Sequence, residues 1–236
     1  MKSLGIMQPY FLPYIGYFQL IDSVDEFVIY DNIQYTKRGW INRNRILQNG
    51  KDSYITLPLK KDSDFLDVRE RYLADNFDKK KMLRQIETAY HKAPHYTEVR
   101  DMLQDIVLFE NNNLFEYIYH SVQKVCEYLE IRTPIVISSK LNYDNTLKAQ
   151  EKVLAICKTQ NANQYINAIG GRELYHKVDF EKENLDLRFI KTDLCQYQQF
   201  ANEFVPALSI VDVLVFNSKE SVQDMIKKYQ LIEGKN

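Results

Sequence analysis

Glycine and proline are scarce in this chain, which has 7 and 6 of them among 236 residues. That scarcity excludes collagen-like and low-complexity sequences. Apolar residues make up 45% of the chain and charged residues 27%, close to the globular average, so disorder is excluded for most of its length. A chain of this length buries roughly 70% of the surface that its unfolded form exposes, which is ample for a substantial core.

Neither sign of charge is in excess, because 31 Lys and Arg residues face 32 Asp and Glu residues. Proteins with non-specific nucleic-acid affinity usually carry a basic excess, so we expect no nucleic-acid partner. No apolar run reaches 18 residues, which predicts no membrane-spanning helix. The N-terminal apolar stretch is too short for the core of a signal peptide, so we expect a cytoplasmic protein.

Cysteine is sparse as well. The three cysteines, none of them in CxxC spacing, are Cys126, Cys157 and Cys195. Their number and spacing favour reduced thiols in the cytoplasm and no zinc site. His91 and His95 flank Pro94, so they cannot form a regular i,i+4 metal pair on a helix. We predict no metal site.

The first 31 residues have the pattern of a βαβ unit. Ser3–Met7 and Glu26–Tyr30 are short apolar runs typical of buried strands, and Tyr14–Ser23 between them has the apolar content of a buried helix. Such units form parallel sheets with right-handed crossovers. Ligands bind beyond the carboxyl ends of parallel strands, which predicts that Gln8–Tyr14 and Asp31–Trp40 share one rim.

The rest of the chain continues this α/β pattern. We predict a polar loop over 32–50 and a helical insert near 75–130, with no repeat and no flexible linker, hence one α/β domain spanning 1–236 with a Rossmann-like parallel sheet. Further strands are predicted at Ser53–Leu59, Ile135–Ser138, Gln164–Ala168 and Leu185–Ile190. Helices are predicted at Asp75–His91, Glu98–Glu110, Leu114–Leu129, Thr146–Lys158 and after Asn217, with fraying at Glu233–Asn236. Val211–Phe216 fits either a helix or a strand.

Long motifs of unusual composition carry a resemblance to a known family. They are Gln8–Tyr17, Tyr35–Ile46, Tyr165–Gly171, Tyr175 and Gln198–Asn217. Together they resemble the WbqC-like protein family over nearly the whole chain. The resemblance implies a cytoplasmic role in O-antigen or surface-polysaccharide biosynthesis, with modification of the amino group of a nucleotide-linked sugar as the expected activity.

The first loop resembles a nucleotide-binding motif. Nucleotidylyltransferases and pantothenate synthetase have His-x-Gly-His after their first strand, where this chain has Tyr14-Ile15-Gly16-Tyr17. The fold analogy suggests a nucleotidylyltransferase-like sheet, but tyrosine cannot supply the cation that histidine does. Alternatively, Gly16 packs the helix on a strand and the tyrosines are core. The ligand-binding residues expected in this loop are Gln8, Pro9, Tyr10, Tyr14, Gly16 and Tyr17.

The second block combines arginines with the single tryptophan. Arginines clamp diphosphates through paired hydrogen bonds, and an aromatic ring stacks on a base or sugar. We expect binding by Tyr35, Arg38, Trp40, Asn42 and Arg43. Strand-like alternation would point Asn42 and Asn44 one way and Arg43 and Arg45 the other, which leaves a structural role open for Arg45. The alternative for the whole block is a solvated charged loop, or arginines that pair with Asp31 and nearby acidic residues.

Other candidate residues are singled out by their positions along the chain, some for catalysis and some for a second wall of the ligand pocket. Asp31 ends a strand at the rim and is a candidate general base, or a turn-forming residue. His95 is a candidate acid or base, or a surface side chain. Asn167, Gly170 and Gly171 at a strand end, with Tyr175 beyond them, are expected to form a second wall, or a simple turn. The acidic Asp212 inside an apolar run needs a partner, for which an arginine of the second block is a candidate.

These observations favour a transferase that moves an acyl or aminoacyl group onto a nucleotide-linked amino sugar. The pantothenate synthetase analogy suggests amide formation but rests on fold alone. The alternatives are a non-catalytic nucleotide-sugar-binding module and an ATP-dependent adenylating ligase, and a weaker one is nucleic-acid binding through the arginine-rich block. The donor is open between an acyl donor and ATP with Mg²⁺, and an oligomer is compatible with the sequence.

Overall fold

Strands and helices alternate along the chain in the computed structural model, which describes residues 1–200 and 203–234. The strands are β1 (Ser3–Met7), β2 (Glu26–Ile29), β3 (Arg43–Gln48), β4 (Lys51–Thr56), β5 (Ile135–Ile137), β6 (Gln164–Ala168), β7 (Asp186–Thr192) and β8 (Tyr229–Glu233). The helices are α1 (Ile15–Asp22), α2 (Lys79–Tyr90), α3 (Tyr96–Leu108), α4 (Leu114–Leu129), α5 (Ala149–Thr159), α6 (Lys177–Lys182), α7 (Ile210–Phe216) and α8 (Lys219–Ile226).

The central sheet has the strand order β5-β2-β1-β6-β7-β8. Its first five strands are parallel, and β8 closes one edge in antiparallel register. This arrangement confirms the predicted Rossmann-like α/β fold. The chain leaves β1 towards β2 on one side and later returns to pair β6 on the other side, so the strand order reverses at β1. The carboxyl end of β1 is where ligands bind in open parallel sheets.

Both faces of the sheet are covered, as a parallel sheet requires. In β2, Phe27 and Ile29 belong to the core on the α1 side, and Val28 belongs to the core on the α5 and α6 side. The same alternation separates Ile166 from Tyr165 in β6. This period of two explains why the strands read as continuous apolar runs. Helix α1 is buried along Ile15–Ile21, which confirms the expectation of an apolar helix.

Helices α2, α3 and α4 form the stretch between the hairpin β3–β4 and strand β5. Asp78 and Asn113 accept backbone N–H bonds at the starts of α2 and α4, which explains where these helices begin. Helix α2 buries Met82, Ile86 and Tyr90, one residue per turn, and leaves Lys80 and Lys81 exposed. No helix within residues 1–200 and 203–234 is long and apolar enough to cross a membrane.

The structure corrects two predictions about secondary structure and resolves a third that the sequence left open. The polar loop predicted over 32–50 is wrong in its second half, where β3 pairs with β4 across a turn at Asn49 and Gly50, both with positive φ. The predicted fraying is wrong at Glu233, which is the last residue of β8 and pairs with Arg188 of β7. Residues 235 and 236 lie outside the described residues. The ambiguous run at 211–216 is helical.

Candidate functional site

The loop between β1 and α1 is fixed by backbone contacts to β3 and to the segment before α7. Leu12 has a φ of 43°, a conformation that non-glycine residues adopt only when their surroundings hold it. Two side chains hold it here. The buried Asn44 amide donates to the carbonyls of Phe11 and Leu12, and the Ser209 hydroxyl donates to the Leu12 carbonyl at 2.8 Å. The loop is therefore a preformed wall at the carboxyl end of β1.

A hollow of about 200 Å³ opens beside this loop. We call it the outer hollow. It is lined by Tyr10, Pro13, Tyr14, Trp40, Asn44, Arg45 and Ala207. Three aromatic rings and one guanidinium therefore meet at the end of β1. This chemistry suits a polar ligand that has flat or ring-shaped parts and a negative charge.

Arg45 supplies the positive charge of the outer hollow. One terminal nitrogen lies 3.2 Å from Asp52, and the other donates to the Ala207 carbonyl at 3.4 Å. The guanidinium carbon lies 5.5 Å from the centre of the Trp40 ring. Nothing in the described part of the chain accepts a hydrogen bond from the buried Nε. Arg45 thus keeps a donor free while its partners hold its position.

Trp40 lies on an exposed ladder of rings and guanidinium groups. Its ring stacks on Tyr54 at a centroid distance of 6.4 Å, and the guanidinium carbon of Arg43 lies 4.9 Å from the Tyr54 ring centre. The tryptophan is 41% exposed although it is the single one in the chain. An exposed ring pair next to a hollow is a surface on which a planar group can stack.

Arg38 and Arg43 lie outside the lining of the outer hollow. Arg43 donates from Nε to the Gly39 carbonyl at 3.0 Å and from a terminal nitrogen to the Arg38 carbonyl. Arg38 is exposed with a φ of 65°. Arg43 therefore closes the turn that ends at Trp40. A ligand role for these two arginines stays a prediction, and the arginine that lines the hollow is Arg45, for which the sequence left a structural role open.

Tyr35 and Asn42 are bonded to each other. The Tyr35 hydroxyl donates to Asn42 Oδ1 at 2.9 Å, and Asn42 Nδ2 donates to the Leu57 carbonyl at 2.8 Å. Asn42 and Asn44 are buried and Arg43 is partly exposed, which confirms the predicted alternation. Both functional groups of Asn42 are used inside the protein, so its binding role stays a prediction.

Tyr10 and Tyr14 face the outer hollow, whereas Tyr17 does not line it. The Tyr10 hydroxyl lies 3.4 Å from Gln8 Oε1, and burial, with Tyr14 nearby, raises the pKa of Tyr10. Tyr17 is buried and donates to the Gln8 carbonyl at 2.9 Å. A Cβ atom at Gly16 would lie 2.4 Å from the Tyr14 ring, so the absence of a side chain there makes room for that ring.

For Tyr17 and Gly16, the structure agrees with the alternative in which the tyrosine is a core residue and the glycine allows close packing. Pro9 is buried and Gln8 partly so, and neither lines the outer hollow. Ligand roles for these four residues stay predictions. Tyr10 and Tyr14 are the members of the motif that line the outer hollow.

Asp31 lies in a hydrogen-bond network at the carboxyl ends of β2 and β5. One carboxylate oxygen accepts from the Ser138 hydroxyl and the Ser139 backbone, and the other accepts from the Ser139 hydroxyl. The residue is 4% exposed. These contacts join the ends of two neighbouring strands. A role as general base stays a prediction, since three donors already occupy the carboxylate.

Lys152 is a functional group that the sequence did not single out. Its ammonium donates to the Asn32 carbonyl at 2.7 Å and to Asn32 Oδ1 at 3.1 Å, and it lies 5.1 Å from the Tyr30 ring centre. Burial lowers its pKa, and the carboxylates of Asp67 and Asp31 oppose this effect. Nothing in one sequence distinguishes this lysine from others on a predicted helix.

The other catalytic candidate, His95, lies at the start of α3. Its Nδ1 is 2.9 Å from Glu98 Oε1, and its backbone N–H donates to the Val215 carbonyl. The hydrogen-bond partners of the Asp31 carboxylate are Ser138 and Ser139, whereas His95 contacts Glu98, and neither Asp31 nor His95 lines the outer hollow. The structure does not bring the two predicted catalytic residues together.

The glycine pair after β6 forms a separate group. A Cβ atom at Gly171 would lie 2.7 Å from the Asn167 amide and 3.6 Å from Tyr175, whereas Gly170 faces open space. The Tyr175 ring packs edge-on against Tyr165 at 5.7 Å. Asn167, Gly171 and Tyr175 are therefore together, but none of them lines the outer hollow. Their role as its second wall stays a prediction.

A segment of irregular backbone, residues 193–200 and 203–209, covers the end of the sheet next to the outer hollow. We call it the strap. The fully buried Asp212 anchors it by accepting from Tyr197 at 2.6 Å and from Gln199, and it also accepts from Tyr90 at 2.8 Å. Burial raises the pKa of Asp212, and the three hydrogen bonds oppose that rise. The predicted arginine partner of Asp212 is therefore wrong, because neutral donors from distant segments surround it.

Comparisons with known proteins agree with the motifs. The model of the WbqC-like protein family matches residues 8–224. The uncharacterized protein Rv1507c of Mycobacterium tuberculosis (strain ATCC 25618 / H37Rv) is 32% identical over 230 residues, which are 96% of this chain and 98% of that protein. No solved structure matches the chain. The matched region includes both walls of the outer hollow, and the chain belongs to the WbqC-like protein family.

Proposed function

We propose that this protein transfers an acyl group to the amino group of a nucleotide-linked amino sugar, and that the sugar binds in the outer hollow. The observation that carries the proposal is the meeting of Arg45, Trp40 and the Tyr10–Tyr14 pair at the carboxyl end of β1. A cation for a diphosphate, a ring for stacking and hydroxyls for a sugar are the groups that such a ligand requires.

The size of the outer hollow supports a division of the ligand. At about 200 Å³ it is smaller than the 300–1,000 Å³ typical of sites that enclose a whole drug-sized molecule. The sugar and the diphosphate would fill it, with the diphosphate against the guanidinium group of Arg45. The nucleoside would then lie outside, against the exposed rings of Trp40 and Tyr54.

The transfer itself forms one bond and breaks another. The neutral amine of the sugar attacks the carbonyl carbon of the acyl donor, the new C–N bond forms, and the bond to the donor's leaving group breaks with its electron pair. The amine also gives up one proton. We assign that proton to the carboxylate of Asp193, because Asp193 lines a cavity that shares the Tyr14 wall with the outer hollow.

Thermal melting against nucleotide-linked amino sugars tests the binding half of this proposal. A ligand at 100 times its Kd adds about 2.7 kcal/mol to the apparent stability. We expect Arg45→Ala and Trp40→Ala to abolish the shift. Arg100→Ala on α3 and Phe65→Ala, an exposed ring in a remote loop, are matched controls that keep it. An equal shift in all four variants would remove the outer hollow from the function.

Mass spectrometry of the incubated sugar tests the transfer half. With an acyl donor present, we expect the sugar to gain the mass of the acyl group minus one hydrogen, and Arg45→Ala to stop this gain. Binding without any product across acyl donors and ATP would contradict the transfer and leave a nucleotide-sugar-binding module. A rise in melting temperature with ATP alone would point to an adenylating ligase instead.

A further inference from the structure

A small, partly open cavity adjoins the outer hollow and shares two lining residues with it. Its free volume is about 20 Å³, a tenth of that of the outer hollow, and we call it the inner cavity. Its apolar wall is formed by Ile15, Leu194, Phe204, Leu208, Val213 and Met225. Tyr14 and Ala207 line both spaces. These two residues therefore lie between the inner cavity and the outer hollow, and Tyr14 has the larger side chain.

The Tyr14 side chain, which lies between the two spaces, is not held by a hydrogen bond to any described residue. Within residues 1–200 and 203–234, the hydroxyl of Tyr14 has no hydrogen-bond partner. Its ring rests against the bare Cα of Gly16, where any side chain would collide with it. Rotation of this ring needs no hydrogen bond to break, whereas the backbone of the loop is held by Asn44 and Ser209. The barrier is thus confined to one ring.

We propose that the inner cavity is the acyl pocket of the transferase and that it selects a short apolar acyl group of acetyl size. This inference rests on the proposed function. A space of about 20 Å³ is close to what a single water occupies, and a methyl group is of similar size. A butyryl chain exceeds it. A charged aminoacyl group would have to leave its ammonium in a wall that is mostly apolar.

The position of polar groups agrees with this assignment. Asp193 and Cys195 also line the inner cavity, at its exposed end. With the methyl group among the apolar side chains and the sugar in the outer hollow, the carbonyl carbon lies between the two spaces. The carboxylate assigned as proton acceptor belongs to the lining of the same cavity that receives the acyl group.

Cys195 provides a readout that does not depend on turnover. The other two cysteines are buried, and burial raises the pKa of each thiol to about 12, so they react slowly in the folded protein. Alkylation of Cys195 by iodoacetamide, followed by intact mass, therefore reports whether the inner cavity is filled. The ligands are the nucleotide-linked amino sugar and its N-acetyl, N-butyryl and N-glycyl forms.

We expect the N-acetyl form to slow alkylation at least tenfold and the free amino sugar to leave it unchanged. Val213→Ile adds one methylene to the wall of the inner cavity. It should weaken binding of the N-acetyl form at least tenfold while binding of the free amino sugar is retained. Val178→Ile, at an exposed site on α6, is the matched control and should leave both affinities unchanged.

The two proposals fail in different ways. If the free amino sugar and all its derivatives fail to bind, the proposed function is overturned, and the acyl pocket falls with it. If the free sugar binds in the outer hollow, the derivatives bind with the same affinity as one another, and Val213→Ile leaves these affinities unchanged, the acyl pocket alone is overturned. Stronger protection by the N-glycyl form than by the N-acetyl form would also overturn it.

Discussion

Removal of the Tyr197 hydroxyl is expected to destabilise the protein by an amount that depends on pH. In Tyr197→Phe, the buried carboxylate of Asp212 loses the donor 2.6 Å from its Oδ2 and keeps Gln199 and Tyr90. A hydrogen bond to a charged group contributes about 1.5–3 kcal/mol, and a neutral one about 0.5–1.5 kcal/mol. We therefore expect a loss of about 1.5–3 kcal/mol near neutral pH, decreasing towards 1 kcal/mol in acid.

The sign of the pH dependence follows from the pKa of Asp212. Burial raises it above the ordinary value, so this group's stabilising contribution is present below the unfolded-state pKa and is lost as pH rises through the folded-state pKa. Without the Tyr197 hydroxyl, one of the bonds that lower this pKa is gone, and the folded-state pKa rises further. The variant therefore loses more stability than the parent as pH rises above about 4.

Urea denaturation of parent and variant at several pH values between 4 and 8 measures this difference directly. Tyr119→Phe is the matched control, because the Tyr119 ring stacks on Phe115 and its hydroxyl has no partner in the described residues. Its effect should be small and independent of pH. A difference for Tyr197→Phe that is flat across this range, or that shrinks as pH rises, would refute the account of Asp212 as a charged anchor of the strap.

Three further outcomes are expected. A chromogenic disulfide reagent should titrate one thiol, Cys195, in the native protein and three after denaturation, and three fast thiols in the native protein would contradict the burial of the other two. Asn44→Ala should lower the free energy of unfolding by about 2–4 kcal/mol, because two carbonyls lose their buried donor, whereas the exposed Asn76→Ala should change it by less than 0.5 kcal/mol in the same urea titration. If Asp193 accepts the proton, Asp193→Asn should lower the turnover number about 10²–10⁴-fold with little change in melting temperature, whereas Asp31→Asn should mainly lower the melting temperature. The reverse pattern would assign the general base to Asp31 instead.

The first strands were predictable because burial on both faces of a parallel sheet leaves a continuous apolar run. The residue range predicted for β1 is the one observed. Strand β3 was missed because an asparagine, Asn44, and not an apolar residue occupies part of its buried face. Its turn carried a usable signal, since Asn49-Gly50 is the dipeptide that favours a tight hairpin.

The location of the candidate site could be predicted from the sequence better than the identity of the residues that line it. The position of the loop after β1 follows from the sheet rule, and Tyr10, Tyr14 and Trp40 line the hollow there. Arg43 and Arg45 share a face of β3, so the choice between them depends on which of the two positions meets the strap. That contact joins Arg45 to Ala207, which is far away in the chain. The partners of Asp31 are equally remote, at Ser138 and Ser139, so the local sequence has no signal for them.

The central position of β1 has a consequence for synthesis of the chain. One edge of this strand pairs with β2, close in sequence, but the other edge pairs Ser3 with Gln164, 161 positions later. At translation rates of about 5–20 residues per second, that separation corresponds to roughly 10–30 s during which the first strand has an open edge. An incomplete chain that ends before β6 therefore exposes an unpaired apolar strand, and the ribosome-bound intermediate is the form of this protein most in need of a chaperone.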